Sequence, residues 1–361
     1  MPDWAACHAT QRRPPSTNER PSTVSNLPYT RAEIKDRARS EWFGACNVTV
    51  PSFTSDLRSL NVAGIQHDVR RAASLGFWGT LIASECGTTV DEYVQFMEIA
   101  ADVAPTGFRL VPHLSFDTVE EVLRVADAAA ALGLEAGLLA YPDRLAPTSS
   151  ADIVDWTTMI SEKTDLALIL FAVMTWGYRS LDPRGFPHDA LETLARLETV
   201  AAIKYEASPP GILAGLADVL RRCGDQCIVQ CPMEISAPAL IEWYGVRWIG
   251  TSGYESFGDR VPRFFELLHK GQWDEGMDVY YSFQAAREAK GAWSATWAGA
   301  NLIHRNGWKY LAWLQGFNGG LLRMPQMRLQ PSQMAQLRRG LEASGYDLPA
   351  TDEGFHEGRH P

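Results

Sequence analysis

The chain has 361 residues, of which 46% are hydrophobic, a net charge of −10 and a pI near 5.3. This is enough apolar material for one large core, and the acidity argues against a nucleic-acid backbone as partner. There is no apolar run long enough to span a bilayer and no early stretch of signal-peptide type, so a cytoplasmic protein without membrane association is expected.

Residues 1–28 are rich in Pro, Ser, Thr and Arg and offer little to bury, which predicts disorder. A helix is predicted over 30–41. Eight short apolar runs then follow: 43–50, 78–83, 108–112, 134–140, 166–173, 200–205, 227–231 and 246–250. Each is succeeded by a stretch in which apolar residues recur every three or four positions, the mark of a helix buried on one side. One such helix is punctuated at both ends, by Asp117 and Thr118 before Glu120 and Glu121, and by Gly133 after it. Eight strand–helix units in sequence predict an α/β fold, a (β/α)8 TIM barrel. Runs that are apolar throughout, without alternation, suit a sheet buried on both faces. The competing open, doubly wound sheet would be favoured by a glycine-rich phosphate loop after the first strand, and TVPSFTSDLRSL is not one.

Beyond the eighth unit, helices are predicted over 274–289, 291–303, 308–316 and 331–344. This block is crowded with aromatic residues, among them Trp273, Tyr280, Phe283, Trp293, Trp297, Trp308, Tyr310 and Trp313, which must find cover. The expected organisation is a barrel over 29–272, a C-terminal helical extension packed on it over 273–345, and a tail over 346–361.

Of six cysteines, Cys223, Cys227 and Cys231 are spaced by four and lack the usual zinc spacing, so no metal site is expected. Lys204 is the sharpest chemical signal. It is one of six lysines, and the only one inside a strand-like run, AAIKYEAS. Burying an ammonium is costly. At the C-terminal end of a barrel strand the residue would face the site-bearing mouth, where desolvation favours a neutral, nucleophilic amine. A structural lysine paired with Glu206 is the other reading of the same residues.

The rim supplies further candidates. Glu85 follows the second strand and would suit proton transfer or the orientation of neighbouring groups. Thr88 and Thr89 are either anion-binding hydroxyls or a helix N-cap. His113 follows the third strand, Tyr141 the fourth, Trp176 and Tyr178 the fifth. Cys231 and Glu234 follow the seventh strand, and Thr251, Ser252, Gly253 and Tyr254 the eighth.

From about residue 43 to 345 the chain resembles the dihydrodipicolinate synthase and N-acetylneuraminate lyase superfamily of class I, Schiff-base aldolases. The resemblance is carried by TVPSF at 49–53, GFWGTLIASECGTT at 76–89, AAIKYEAS around Lys204 and GFNGGLLRMPQMRL at 316–329, in that order. It implies that Lys204 forms an imine with pyruvate or a related 2-oxo acid, so that a carbon–carbon bond is made or broken with no separate cofactor. A hydratase-aldolase would use the same early intermediates, and an aldehyde is the implied second substrate. The family's Gly-Thr-Thr-Gly-Glu loop is matched here either by Glu85 and Cys86 or, after a shift, by Thr88 and Thr89. Its proton-relaying Tyr corresponds to Tyr141 only after a slip of one residue. The loop after the eighth strand implies substrate contacts from Ser252 and Gly253, with His113 and Trp176 as further pocket residues. In the fifth strand the family's Tyr-Asn-x-Pro is replaced by Phe171-Ala172-Val173-Met174, which predicts a more apolar pocket. A homodimer or homotetramer is implied. Two alternatives stand beside this reading: a barrel hydrolase or metal-dependent lyase with a structural Lys204, and a non-catalytic metabolite-binding barrel.

Overall fold

The computed structural model describes residues 25–207, 212–298, 302–324 and 328–361. The segment expected to be disordered lies outside these residues up to position 24.

All eight expected strands form: β1 (Gly44–Thr49), β2 (Gly79–Ile82), β3 (Arg109–Leu114), β4 (Ala136–Leu139), β5 (Ala167–Val173), β6 (Val200–Glu206), β7 (Ile228–Gln230) and β8 (Trp248–Gly250). They are parallel and hydrogen-bonded in the order β7-β6-β5-β4-β3-β2-β1-β8. Every residue of β2, β4, β5 and β8 is buried, which explains why these runs show no polar alternation. Gly250 has to be glycine, because at its φ of 158° a Cβ would fall 2.6 Å from that of Cys46 on the paired β1.

Among the described residues no backbone ladder joins β7 to β8. The side chain of Gln230 spans the gap instead. Its amide nitrogen donates to the Gly250 carbonyl, and its amide oxygen accepts from the Gly250 N–H at 3.3 Å. Gln230 is fully buried, so nothing else can satisfy these groups. Gln230→Leu should therefore cost about 3 kcal/mol, because it strands both Gly250 backbone groups in the interior. Urea unfolding of the variant beside the parent checks this.

The barrel helices are α1 (Ile34–Glu41), which precedes β1, then α2 (Val62–Ser74), α3 (Val90–Ala101), α4 (Val119–Ala131), α5 (Ser150–Ser161), α6 (His188–Leu194), α7 (Ile212–Cys223), α8 (Ala237–Tyr244) and α9 (Arg260–His269). At the start of α4, Thr118 and Glu121 form the reciprocal cap that the sequence predicts.

The extension consists of α10 (Trp273–Ser282), α11 (Gln284–Ala298), α12 (Arg305–Leu314) and α13 (Pro331–Ala343), and a short α14 (Gly354–Glu357) follows. The expected break near residue 290 is displaced to Phe283. There the chain turns so that the phenyl ring packs against Phe257 and Phe264, with centroids 4.9 and 6.2 Å away. Gly291 is carried inside α11, since a mid-helix glycine costs only about 1 kcal/mol and burial of a phenyl ring outweighs it. Tyr280, Phe283, Trp293, Tyr310 and Trp313 are all buried. Phe355 is buried too, and Asp352 binds Tyr310 and Arg338, so the last residues fold back onto the extension.

Three basic side chains dock the extension onto the C-terminal ends of the strands. Lys290 donates to the Gly253 carbonyl after β8 (2.5 Å), Lys309 to the Pro51 carbonyl after β1 (2.6 Å), and Arg305 pairs with Glu85 after β2 (3.2 Å). No helix among the described residues is long and apolar enough to cross a membrane.

Candidate active site at the barrel mouth

Strand alternation decides which way Lys204 points. Tyr205 faces the helical layer, where its hydroxyl meets His188 Nε2 of α6 at 2.9 Å. Its neighbours Lys204 and Glu206 therefore project to the opposite side, into the barrel. Lys204 is 5% exposed. Its Nζ lies 3.4 Å from Thr251 Oγ1, 3.5 Å from Glu206 Oε2 and 3.8 Å from the centroid of the Phe171 ring. Burial lowers the amine from the ordinary lysine value, Glu206 pulls it partly back, and the Arg305 charge lowers it further. The contact with Glu206 is the one that the structural reading of this lysine anticipates, and the burial is what the chemical reading requires.

Across the mouth lies a second cluster. Glu85 adopts φ 59°, a left-handed conformation that side-chain-bearing residues seldom hold. Its carboxylate accepts from Ser115 Oγ (2.5 Å) and Arg305 (3.2 Å). Its side chain keeps 41% of its exposure, while that of Arg305 keeps only 7%. Partial burial would raise the Glu85 carboxyl, but His113, Arg305 and Ser115 together outweigh it and hold the pKa near 2. His113 is 2% exposed, with Nδ1 3.0 Å from Ser84 Oγ and no partner for Nε2 among the described residues. Burial lowers its pKa to about 4, with Glu85 opposing this and Arg305 and Lys204 adding to it. Lys204, Glu85, His113 and Arg305 thus share one electrostatic neighbourhood.

His113 gives a pH dependence of stability with a definite sign. Its folded pKa lies below the unfolded value of 6.5, so the unfolded chain binds the proton first as pH falls. Stability is full above about pH 6.5 and is lost as pH drops through 4, by about 3 kcal/mol in total. Urea titrations at neutral pH and near pH 4 should show this loss in the parent, and its removal in His113→Asn.

The other expected site residues fall into supporting positions. Thr89 caps α3 by accepting from Glu92 N–H, and Thr88 precedes it, half-buried. Cys86 is fully buried, and its thiol is pushed up to about 11 by burial. The Ser252 N–H goes to the Cys46 carbonyl (3.4 Å), and the Gly253 carbonyl takes Lys290. Trp176 donates its indole N–H to the Phe171 carbonyl (2.8 Å) and sets its ring edge-on to Phe171, so it supports the surface beneath Lys204. Tyr141 is buried just after β4. Its hydroxyl meets Thr157 of α5 at 3.1 Å, and its ring packs among Trp156, Tyr178 and Phe186. Glu234 pairs with Arg287, and Tyr254 donates to the Pro232 carbonyl.

Arg305 is the site residue that the sequence reading missed. It lies 220 positions from Glu85, in a block read only as hydrophobic cover. The one local signal was the polar run His304-Arg305-Asn306 opening a helix that carries Trp308, Tyr310 and Trp313.

No family profile matches the chain. The 4-hydroxy-tetrahydrodipicolinate synthase of Cutibacterium acnes is 24% identical over 253 residues, 68% of this chain and 77% of that protein. The enzyme of the same name from Syntrophobacter fumaroxidans is 24% identical over 151 residues, and there the chain spans about half of the relative's length (49%). Among solved structures, dihydrodipicolinate synthase from Oceanobacillus iheyensis superposes with a TM-score of 0.71 at 16% identity, covering 86% of this chain and 99% of that one. N-acetylneuraminate lyase from Fusobacterium nucleatum does so with a TM-score of 0.66 at 16% identity, covering 83% and 98%. With its barrel, its C-terminal helices and the strand-six lysine at the mouth, the chain shares the fold of dihydrodipicolinate synthase and N-acetylneuraminate lyase, and its sequence is similar to 4-hydroxy-tetrahydrodipicolinate synthases.

Proposed function

We propose that the protein is a Schiff-base lyase or aldolase that makes or breaks a carbon–carbon bond next to the carbonyl of pyruvate or a related 2-oxo acid. The observation that carries this reading is Lys204, a buried amine of depressed basicity held at the strand ends by Thr251 and Glu206.

In this reading the neutral amine attacks the keto carbon. Water leaves and an iminium forms between Nζ and the substrate, drawing electrons from the bond to be broken. The Glu206 carboxylate is placed to take up the proton that the amine releases and pass it to the carbinolamine oxygen, which gains its second proton from solvent and leaves as water. Glu85, held ionised by its neighbours, acts as a base or as the orienting partner of Arg305, and His113 stays neutral. Geometry favours this cluster over Tyr141 for proton movement, because the Tyr141 hydroxyl is engaged with Thr157. Arg305 offers the planar donor array that suits a carboxylate. Thr88, Thr89, Cys86, Ser252, Gly253 and Trp176 hold the loops that carry these groups. The covalent imine serves as the electron sink, so the reaction as proposed draws on no separate cofactor.

The test is incubation with pyruvate and borohydride, followed by peptide mass analysis. A reduced adduct on Lys204 is expected, and the absence of any adduct with a panel of 2-oxo acids would sink the proposal. Assembly into homodimers or homotetramers belongs to the same proposal. Its support is exposed apolar surface such as Trp243, which is 70% exposed, and light scattering reads it directly.

A further inference from the structure

A cleft of about 270 Å³ lies between the segment that follows β5 and the helices α11 and α12 of the extension. Its walls are Met174 and Thr175 from the end of β5, and Trp293, Trp297, His304 and Trp308 from the extension. Its lining is largely apolar. Two features tie it to Lys204. Met174 lies three positions beyond Phe171, whose ring is under the Lys204 amine. On the opposite wall the Arg305 guanidinium lies 4.8 Å from the centroid of Trp308, so one indole touches both the Arg305 guanidinium and the cleft.

The cleft has room for a ring, since apolar cavities of about 150 Å³ already admit benzene. Flat indole walls favour flat aromatic occupants. The buried indole N–H groups of Trp293 and Trp297 have no acceptor among the described residues. Leaving such donors unpaired is costly, and an occupant with an oxygen acceptor on its ring would relieve that cost.

We propose that this cleft is the specificity subsite for an aryl group, so that the substrate class is a 2-oxo acid carrying an aromatic ring, with its carboxylate toward Arg305 and its ring against Trp297 and Trp308. The inference rests on the function proposed above and narrows it. A small aliphatic 2-oxo acid would fill the mouth and leave the cleft empty.

The test uses ligands that have no keto group and so cannot form an imine. Calorimetric titration with 3-phenylpropanoate and with propanoate should give at least tenfold tighter binding of the aryl acid. Ser294→Phe, which fills the cleft, and Trp297→Ala, which removes a wall, should each abolish most of that preference, with thermal melting as the check that each variant is folded. A preference below tenfold, or one that persists undiminished in both folded variants, would overturn the proposal. Borohydride trapping of pyruvate reads the lysine chemistry separately, so failure of the aryl subsite and failure of the Schiff-base reading are told apart.

Discussion

Lys204→Ala should abolish covalent capture of pyruvate and lower turnover of any true substrate by at least about 10⁴-fold, the scale seen when a covalent nucleophile is removed. The reason is local. Among the described residues no other amine is placed beside Thr251 and Glu206 with its basicity depressed by burial. The pH dependence of trapping supplies a second reading of the same group. Only the neutral amine attacks, so the rate rises with pH through the Lys204 pKa, and the depressed value sets that rise below the ordinary lysine range near 10.4. Glu206 raises the pKa, so Glu206→Gln should move the rise to lower pH. A structural lysine would give no adduct at any pH in the parent protein.

With Arg305 holding the substrate carboxylate as proposed, Arg305→Met should weaken binding of a 2-oxo acid by about 3 kcal/mol, on the order of 100-fold in half-saturation, because a desolvated charged partner is lost. The loss should appear with pyruvate as well as with larger acids, since the carboxylate is common to all of them. The variant also has a signature that simple loss of packing would not produce. Arg305 depresses Lys204, so its removal should shift the trapping profile to higher pH, opposite to the shift in Glu206→Gln. Initial rates of adduct formation across a pH series measure both quantities in one experiment.

The barrel was legible in the sequence because its physics is local and repeated. A strand covered on both faces must be apolar throughout, and a helix covered on one face must recur every three or four residues, so the eight units could be counted. Lys204 was legible for the complementary reason, a charge inside an apolar run. The features that escaped depend on contacts between distant segments. The turn at Phe283 is decided by two rings far back in the chain, Phe257 and Phe264, against which the propensity of Gly291 counts for little. Arg305 gains its meaning only when α12 is laid over the end of β2. For Tyr141 the spacing could not show whether the hydroxyl turns toward the mouth or toward α5, and in the structure it meets Thr157.

The bridge between β7 and β8 gives the barrel a latch where the rest of the wall is continuous. Gln230 is the register partner of Lys204, and Gly250, at the other end of the latch, precedes the Thr251 hydroxyl that touches Lys204. Two strands of three residues each, joined by one amide side chain, should be the first part of the wall to breathe, and their amide hydrogens should exchange sooner than those of β4–β6. Both jambs of that gap flank the Lys204 amine. Occupancy of Lys204 should therefore be readable from a distance, as slower hydrogen exchange along β7 and β8 when a substrate holds the latch shut.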